Sequence, residues 1–206
     1  MMIFVSILVS YMIGSIPTAV WVGRKFYGID VRTRGSGNAG ATNTIRVLGW
    51  KAGIPVLLID VFKGLVAVLL VDPMIQFTDG DPVKAYVLLA ASVAAVLGHT
   101  FPLWAGFKGG KGVATLLGVG FGLFPMAALV ALLIFIVVFA VTRYVSLASL
   151  TAGISFPFLV FFIFPANHWI FYVLAVSVAI FLPITHRKNI LRLIQGTENK
   201  ISFRRK

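Results

Sequence analysis

The sequence of 206 residues contains no cysteine. That absence excludes disulfide frameworks, zinc–thiolate sites and cysteine nucleophiles together. Acidic residues are scarce, six against 18 lysines and arginines, and charged residues make up only 12% of the chain, where a soluble domain carries about a quarter. Apolar residue types make up 59% and the mean hydropathy is +0.99. This composition excludes a soluble globule, and it is too apolar and too aromatic for a disordered chain. The apolar residues gather into runs that approach the ~20 residues a helix needs to cross a bilayer. Residues 1–206 are therefore read as a single polytopic membrane domain with little soluble mass.

The formal net charge of +12 is not evenly spread. Six basic residues and one acid, Asp30, lie between Arg24 and Lys51, and seven basic residues and one acid, Glu198, lie between His186 and Lys206. Asp72, Asp79 and Asp81 share one connection with Lys84. Basic loops stay cytoplasmic under the positive-inside rule and attract anionic headgroups. The same charge draws an anionic substrate to the inner face. No compact basic domain exists to bind nucleic acid.

The first apolar run, residues 3–22, has no basic leader and no small-residue cleavage pattern, so it reads as a retained span. Further spans are expected at 54–71 and 83–98. Residues 113–142 carry no charge and hold Phe124-Pro125 near their middle. At 1.5 Å per residue this stretch is long for one span and short for two. Residues 144–185 make two spans broken at Pro165 to His168. Splitting 113–142 at Pro125 gives an all-α bundle of seven transmembrane helices, with the N-terminus outside, the C-terminus cytoplasmic and every basic cluster inside. Short spans interrupted by Gly or Pro line cavities, because their freed backbone groups need protein or water partners.

Polar chemistry concentrates in three inner segments. In the first, Arg34 to Arg46, Gly35, Gly37 and Gly40 satisfy G-x-G-x-x-G, but no βαβ unit surrounds them and the dinucleotide-binding reading fails. The local physics survives: glycines admit an anion to backbone N–H groups, and a helix start follows with Thr42 or Asn43 as the expected cap. Arg46, about one turn on, can fork onto phosphate. The plain alternative is a flexible turn. The second segment, Gly98 to Thr115, places Lys108 and Lys111 around Gly109 and Gly110. Its glycine spacing is one short of a P-loop, and Gly112 stands where a Mg²⁺-holding Ser or Thr belongs. ATP hydrolysis is excluded on that ground, while phosphate binding suits the pattern. A basic anchor with a hinge is the alternative. In the third segment, His186 and Asn189 at i, i+3 share a helix face beside an apolar stripe of Ile190, Leu193 and Ile194; an interfacial tail explains it equally. Asp60 and Lys63, also i, i+3, lie inside the second span, where ionisable residues are either functional or mutually neutralising. Glu198 is expected to pair with arginines.

Taken in order, Ser36-Gly37-Asn38-x-Gly40-Ala41-Thr42-Asn43-x-x-Arg46, then Gly98-His99-x-Phe101-Pro102 with Phe107-Lys108-Gly109-Gly110-Lys111-Gly112-Val113-Ala114-Thr115, then His186-Arg187-x-Asn189-Ile190-x-Arg192-Leu193-x-x-Gly196-x-Glu198, the chain resembles the bacterial acyl-phosphate:glycerol-3-phosphate acyltransferases, the PlsY family. The resemblance implies acyl transfer from acyl phosphate to glycerol 3-phosphate, giving 1-acylglycerol 3-phosphate (lysophosphatidate) and phosphate, an early step of phospholipid synthesis in the bacterial cytoplasmic membrane with the site on the inner side. No cofactor or metal is implied; the partners are the two substrates and membrane lipid. The His-x-x-x-x-Asp pair of the other acyltransferase class is missing, since His99, His168 and His186 are followed five residues on by Trp104, Val173 and Leu191.

The expected roles follow from this. Arg46, Lys111 and the backbone around Ser36, Gly37, Asn38 and Gly40, with Thr42 and Asn43, hold glycerol 3-phosphate. Lys108, Gly109 and Gly110 hold the donor phosphate or its developing charge. His186 polarises or deprotonates the acceptor hydroxyl, with Asn189 and Ser36 orienting it; the acceptor's own phosphate is the other candidate for the proton. A phosphate-ester carrier is the rival function. It requires polar groups continuing to the outer face and an inverted repeat, and the sequence shows neither.

Overall fold

The computed structural model describes residues 1–78 and 81–201. Asp79 of the acidic connection and Arg204, Arg205 and Lys206 of the basic tail lie outside the described residues. Among the described residues the regular structure is helical throughout, with no strand. The chain divides into two compact units, Met1–Leu123 and Phe124–Lys206.

The first unit holds α1 (Met2–Gly14), α2 (Thr18–Tyr27), α3 (Ala41–Leu48), α4 (Trp50–Leu69), α5 (Val71–Ile75), α6 (Pro82–Thr100) and α7 (Val113–Leu123). The single span expected at 3–22 is instead two helices bent by 40°. Pro17 has no N–H to donate and disfavours the helical conformation at Ile16, so α1 stops before it and α2 restarts after it. At the break the Ile16 carbonyl accepts from the Thr18 N–H at 3.0 Å and from Lys63 Nζ at 2.9 Å. Lys63 also pairs with Asp60 at 2.9 Å, with side-chain exposures of 4% and 2%. Thr18 Oγ1 donates to the same carboxylate at 3.0 Å. The two charges therefore neutralise each other and close the helix break.

Helix contacts in this unit depend on small residues, as expected where lipid offers no hydrophobic drive between helices. α7 lies against α4 so closely that a Cβ at Gly118 would overlap the Val61 carbonyl, and one at Gly64 would overlap that of Thr115. Gly14 of α1 meets the Ala95 backbone of α6 in the same way. Ser10 Oγ adds a hydrogen bond of 3.0 Å to the Ala67 carbonyl.

The second unit holds α8 (Pro125–Thr142), α9 (Val145–Phe158) running on into a π turn at Leu159–Ile163, α10 (Trp169–Thr185) and α11 (Arg187–Ile194). Phe124 packs edge-on to Phe156 and Phe171, with ring centroids 5.6 and 5.7 Å apart. Gly153 of α9 admits Leu182 of α10. Met126, Leu133, Val137 and Val141 along α8 are exposed, as suits a lipid-facing side.

The expected breaks at 124–125 and 165–168 both fall between helices. Among the described residues, by length and apolarity, four helical stretches can cross a membrane, or six if each bent pair, α1 with α2 and α10 with α11, counts once. The remaining segment, α7, has 11 residues, about 16 Å of helix and shorter than the ~30 Å hydrocarbon core.

Candidate functional site

The first glycine-rich segment is organised by Asn43. Its side chain is buried, Nδ2 donates to the carbonyls of Val31 at 2.7 Å and Arg34 at 3.1 Å, and Oδ1 accepts from the Ser36 N–H at 2.8 Å. The amide thus folds the loop over the start of α3. The cap differs from expectation: Gly40 occupies that position, with φ −129° and ψ 168°, and neither Thr42 nor Asn43 caps the helix. Asn43 sits one turn inside, where its amide reaches back along the loop. The N–H groups of Ala41 and Thr42 point out of the helix end, as at any helix start. Ser36 and Gly37 are exposed, while Asn38, Gly40, Thr42 and Arg46 are half-buried.

The second segment folds back onto the end of α6. The Gly109 N–H donates to the Thr100 carbonyl and the Gly110 N–H to the His99 carbonyl, both at 3.1 Å. Tyr11 Oη donates to the Phe101 carbonyl at 2.8 Å. Two of the carbonyls that a helix leaves unpaired at its C-terminus, those of His99 and Thr100, are thereby satisfied by the loop. Lys108 is exposed and Lys111 half-buried.

Hydrogen bonds tie the first segment and the turn before it to the second. The Ala39 N–H donates to the Gly109 carbonyl at 3.4 Å. Arg32 Nη1 donates to the carbonyls of Ala105 at 2.6 Å and Lys108 at 3.4 Å. Arg32 is itself gripped by Asp30, with Nε to Oδ1 at 3.0 Å and Nη2 to Oδ2 at 2.8 Å. Arg24 Nη2 donates to Asp30 as well, at 2.9 Å. The Arg32 guanidinium holds the Asp30 carboxyl well below the usual carboxylate range, against the opposing effect of burial, with Arg24 adding to it. Arg32→Ala is expected to loosen the Lys108 loop and lower kcat/KM about tenfold, roughly the worth of one hydrogen bond to a charged group. Arg32→Lys should not restore it, because an ammonium cannot grip Asp30 and the loop at once. Steady-state kinetics on the two variants tests this, and wild-type values in either would remove the clamp.

The third segment lies in the second unit. His186 and Asn189 do not share a helix face as expected: His186 is the N-cap of α11, at the 64° turn from α10, and Asn189 lies in the first turn, its N–H donating to the His186 carbonyl at 2.8 Å. Both side chains are buried. His186 Nδ1 lies 2.9 Å from the Leu182 carbonyl. A carbonyl only accepts, so in this contact Nδ1 carries a proton. Asn189 Nδ2 donates to Glu198 Oε1 at 2.6 Å, Ser146 Oγ donates to the same oxygen at 2.9 Å, and Arg192 Nε pairs with Oε2 at 2.7 Å. Glu198 is thus an orienting group tied to a tail arginine, as its expected pairing implied.

Burial by itself would raise the Glu198 carboxyl, but donation from Arg192, then Asn189 and Ser146, outweighs it and holds the group below its ordinary value. A carboxyl depressed on folding stabilises the folded state above its unfolded pKa, and that contribution is lost as pH falls through the folded value. Thermal melting is expected to weaken below about pH 4.5, the ordinary value for this carboxyl. Glu198→Gln should flatten that part of the curve; an unchanged acid limb would overturn the assignment.

Asp30, Arg32 and Ser146 are positioning residues that the sequence reading did not single out. Only Asp30-x-Arg32 carried a local signal. Among the described residues no cluster of three or more His, Asp or Glu could hold a metal ion.

Comparison with known proteins adds the following. The family model described as glycerol-3-phosphate acyltransferase matches residues 4–196. A glycerol-3-phosphate acyltransferase of Fusobacterium nucleatum subsp. nucleatum is 44% identical, covering 98% of this chain and 100% of its own. One from Chlorobaculum tepidum is 41% identical, with 97% of each chain covered. A crystal structure of PlsY (YgiH), an integral membrane glycerol 3-phosphate acyltransferase, in its glycerol 3-phosphate form superposes with a TM-score of 0.84 at 39% identity, covering 97% of this chain and 96% of that one. Its lysophosphatidic acid form gives 0.82 at 38% identity, with 97% and 95% covered.

Proposed function

The chain belongs to the glycerol-3-phosphate acyltransferase family, and on that premise we propose how its residues carry out the reaction. It is a multi-pass membrane enzyme that acylates glycerol 3-phosphate in phospholipid synthesis. The donor is acyl phosphate. The acceptor hydroxyl oxygen bonds to the acyl carbonyl carbon, the bond from that carbon to the phosphate oxygen breaks, and inorganic phosphate leaves with the electron pair. The hydroxyl proton passes to His186 Nε2 or to the acceptor's own phosphate. A mixed anhydride is already activated, so positioning and charge stabilisation supply the acceleration without a covalent enzyme intermediate.

Arg46, Lys111 and the first turn of α3, with Ser36, Gly37, Asn38, Gly40 and Thr42, hold the acceptor phosphate. Lys108 with Gly109 and Gly110 hold the donor phosphate, and Asn43 shapes the loop. Asn189, held by Glu198, orients the third segment around His186. The enzyme lies in the bacterial cytoplasmic membrane, N-terminus outside, with its site on the inner side where the basic loops lie.

The observation that carries this reading is the joining of two glycine-rich, lysine- and arginine-bearing segments through Arg32 and Ala39. Purified enzyme in lipid is given glycerol 3-phosphate with acyl phosphate or with acyl-CoA. Lysophosphatidate and phosphate are expected from acyl phosphate alone; turnover from acyl-CoA alone would overturn the donor. Full turnover by His186→Gln would pass the proton to the substrate phosphate.

A further inference from the structure

Among the described residues, three ionisable side chains are buried in the first unit, and the reaction uses none of them: Asp60, Lys63 and His99. Inside a membrane protein such groups are costly. Asp60 and Lys63 compensate each other and close the break at Pro17. His99 has no such account. Its Nδ1 faces Asp60 Oδ1 at 3.7 Å, beyond hydrogen-bond length, and the residue is 6% exposed. The other side of the ring lies under the loop, where a Cβ at Gly110 would overlap His99 Nε2. The turn above is tied to the same residue, since the Gly110 N–H donates to the His99 carbonyl at 3.1 Å. A continuous line of contacts therefore runs from the Ile16 carbonyl through Lys63, Asp60 and His99 to the turn between Lys108 and Lys111. Because glycine backbone covers the ring, substrate does not reach it.

We propose that His99, braced by the Asp60–Lys63 pair, is a positioning residue for acyl transfer: its ring is the floor on which the Gly109–Gly110 turn rests, and it sets where Lys108 and Lys111 stand. This rests on reading that turn as a phosphate holder. Gly110 is then glycine because the floor needs the space, and a side chain there lifts the turn.

A double-mutant cycle on turnover tests the floor. Gly110→Ala is expected to lower kcat/KM about 100-fold in the wild-type background and less than about threefold once His99→Ala has vacated the space, since contacting residues couple. His99→Ala alone should weaken inhibition by the product inorganic phosphate about tenfold, because loosened lysines hold an anion less well. His99→Gln should keep every inflection of the wild-type pH–kcat profile. If His99→Ala does not accumulate as folded protein, His99→Asn, which lacks the ring edge under Gly110, carries the same cycle. Equal losses from Gly110→Ala in both backgrounds, or a vanished inflection in His99→Gln, would overturn the proposal. Lys108→Ala and Lys111→Ala serve as controls. If they leave turnover and phosphate inhibition untouched, the phosphate-loop reading fails; if they lose both while the His99 variants match wild type, only the floor fails.

Discussion

Arg46→Ala is expected to lower kcat/KM for glycerol 3-phosphate about 100-fold, the equivalent of about 2.7 kcal/mol of lost transition-state stabilisation. The size follows from the chemistry. A guanidinium on phosphate makes two parallel charge-assisted hydrogen bonds, each about twice as strong as a neutral one. Arg46 lies on α3, one turn and a half beyond the Gly40 cap, and is half-buried. Water screens it less there than at an open surface. The loss should appear mainly as a raised KM for glycerol 3-phosphate, with the KM for acyl phosphate nearly unchanged. Arg46→Lys should recover only part of it, because an ammonium keeps the charge and loses the fork. Unchanged apparent affinity for glycerol 3-phosphate in Arg46→Ala would sink the acceptor cradle.

Asp60→Ala is expected to destabilise the protein by about 3–5 kcal/mol, the usual cost of removing one partner of a buried ion pair. The substitution leaves Lys63, 4% exposed, with an uncompensated ammonium. It also strips Thr18 Oγ1 of its closer acceptor, leaving the Ile16 carbonyl at 3.5 Å. A fall in melting temperature of about 10 °C in detergent would express this. Lys63→Met should be comparably damaging, since Asp60 loses its charge partner and the Ile16 carbonyl keeps only the Thr18 donors. The double variant Asp60→Leu with Lys63→Met should cost less than the two singles added, because no naked charge remains. Additive losses would show that the pair does not act as a unit.

Much of this protein was legible in one dimension. Apolar runs marked the helices because bilayer thickness fixes their length. Breaks at Phe124-Pro125 and at Pro165 to His168 were visible because proline and polar residues interrupt a helix by local backbone chemistry. The three polar segments were readable because phosphate binding needs glycine-permitted backbone and cations close together in sequence. Pro17 should have signalled the broken first span, but the surrounding hydrophobicity masked it.

The sequence by itself thus determined the helical class, the positions of most breaks and which segments carry the chemistry. Only the tertiary structure decided which polar groups hold those segments in place. Lys63 meets the Ile16 carbonyl across 47 residues, Arg32 meets Ala105 across 73, and Ser146 meets Glu198 across 52. Asn43 turns inward to the loop, and His99 lies beneath Gly110. No local spacing encodes such pairs. They arise where helices cross, and the crossings are set by glycines that let two backbones touch, with the buried polar groups left at each crossing obliged to find one another.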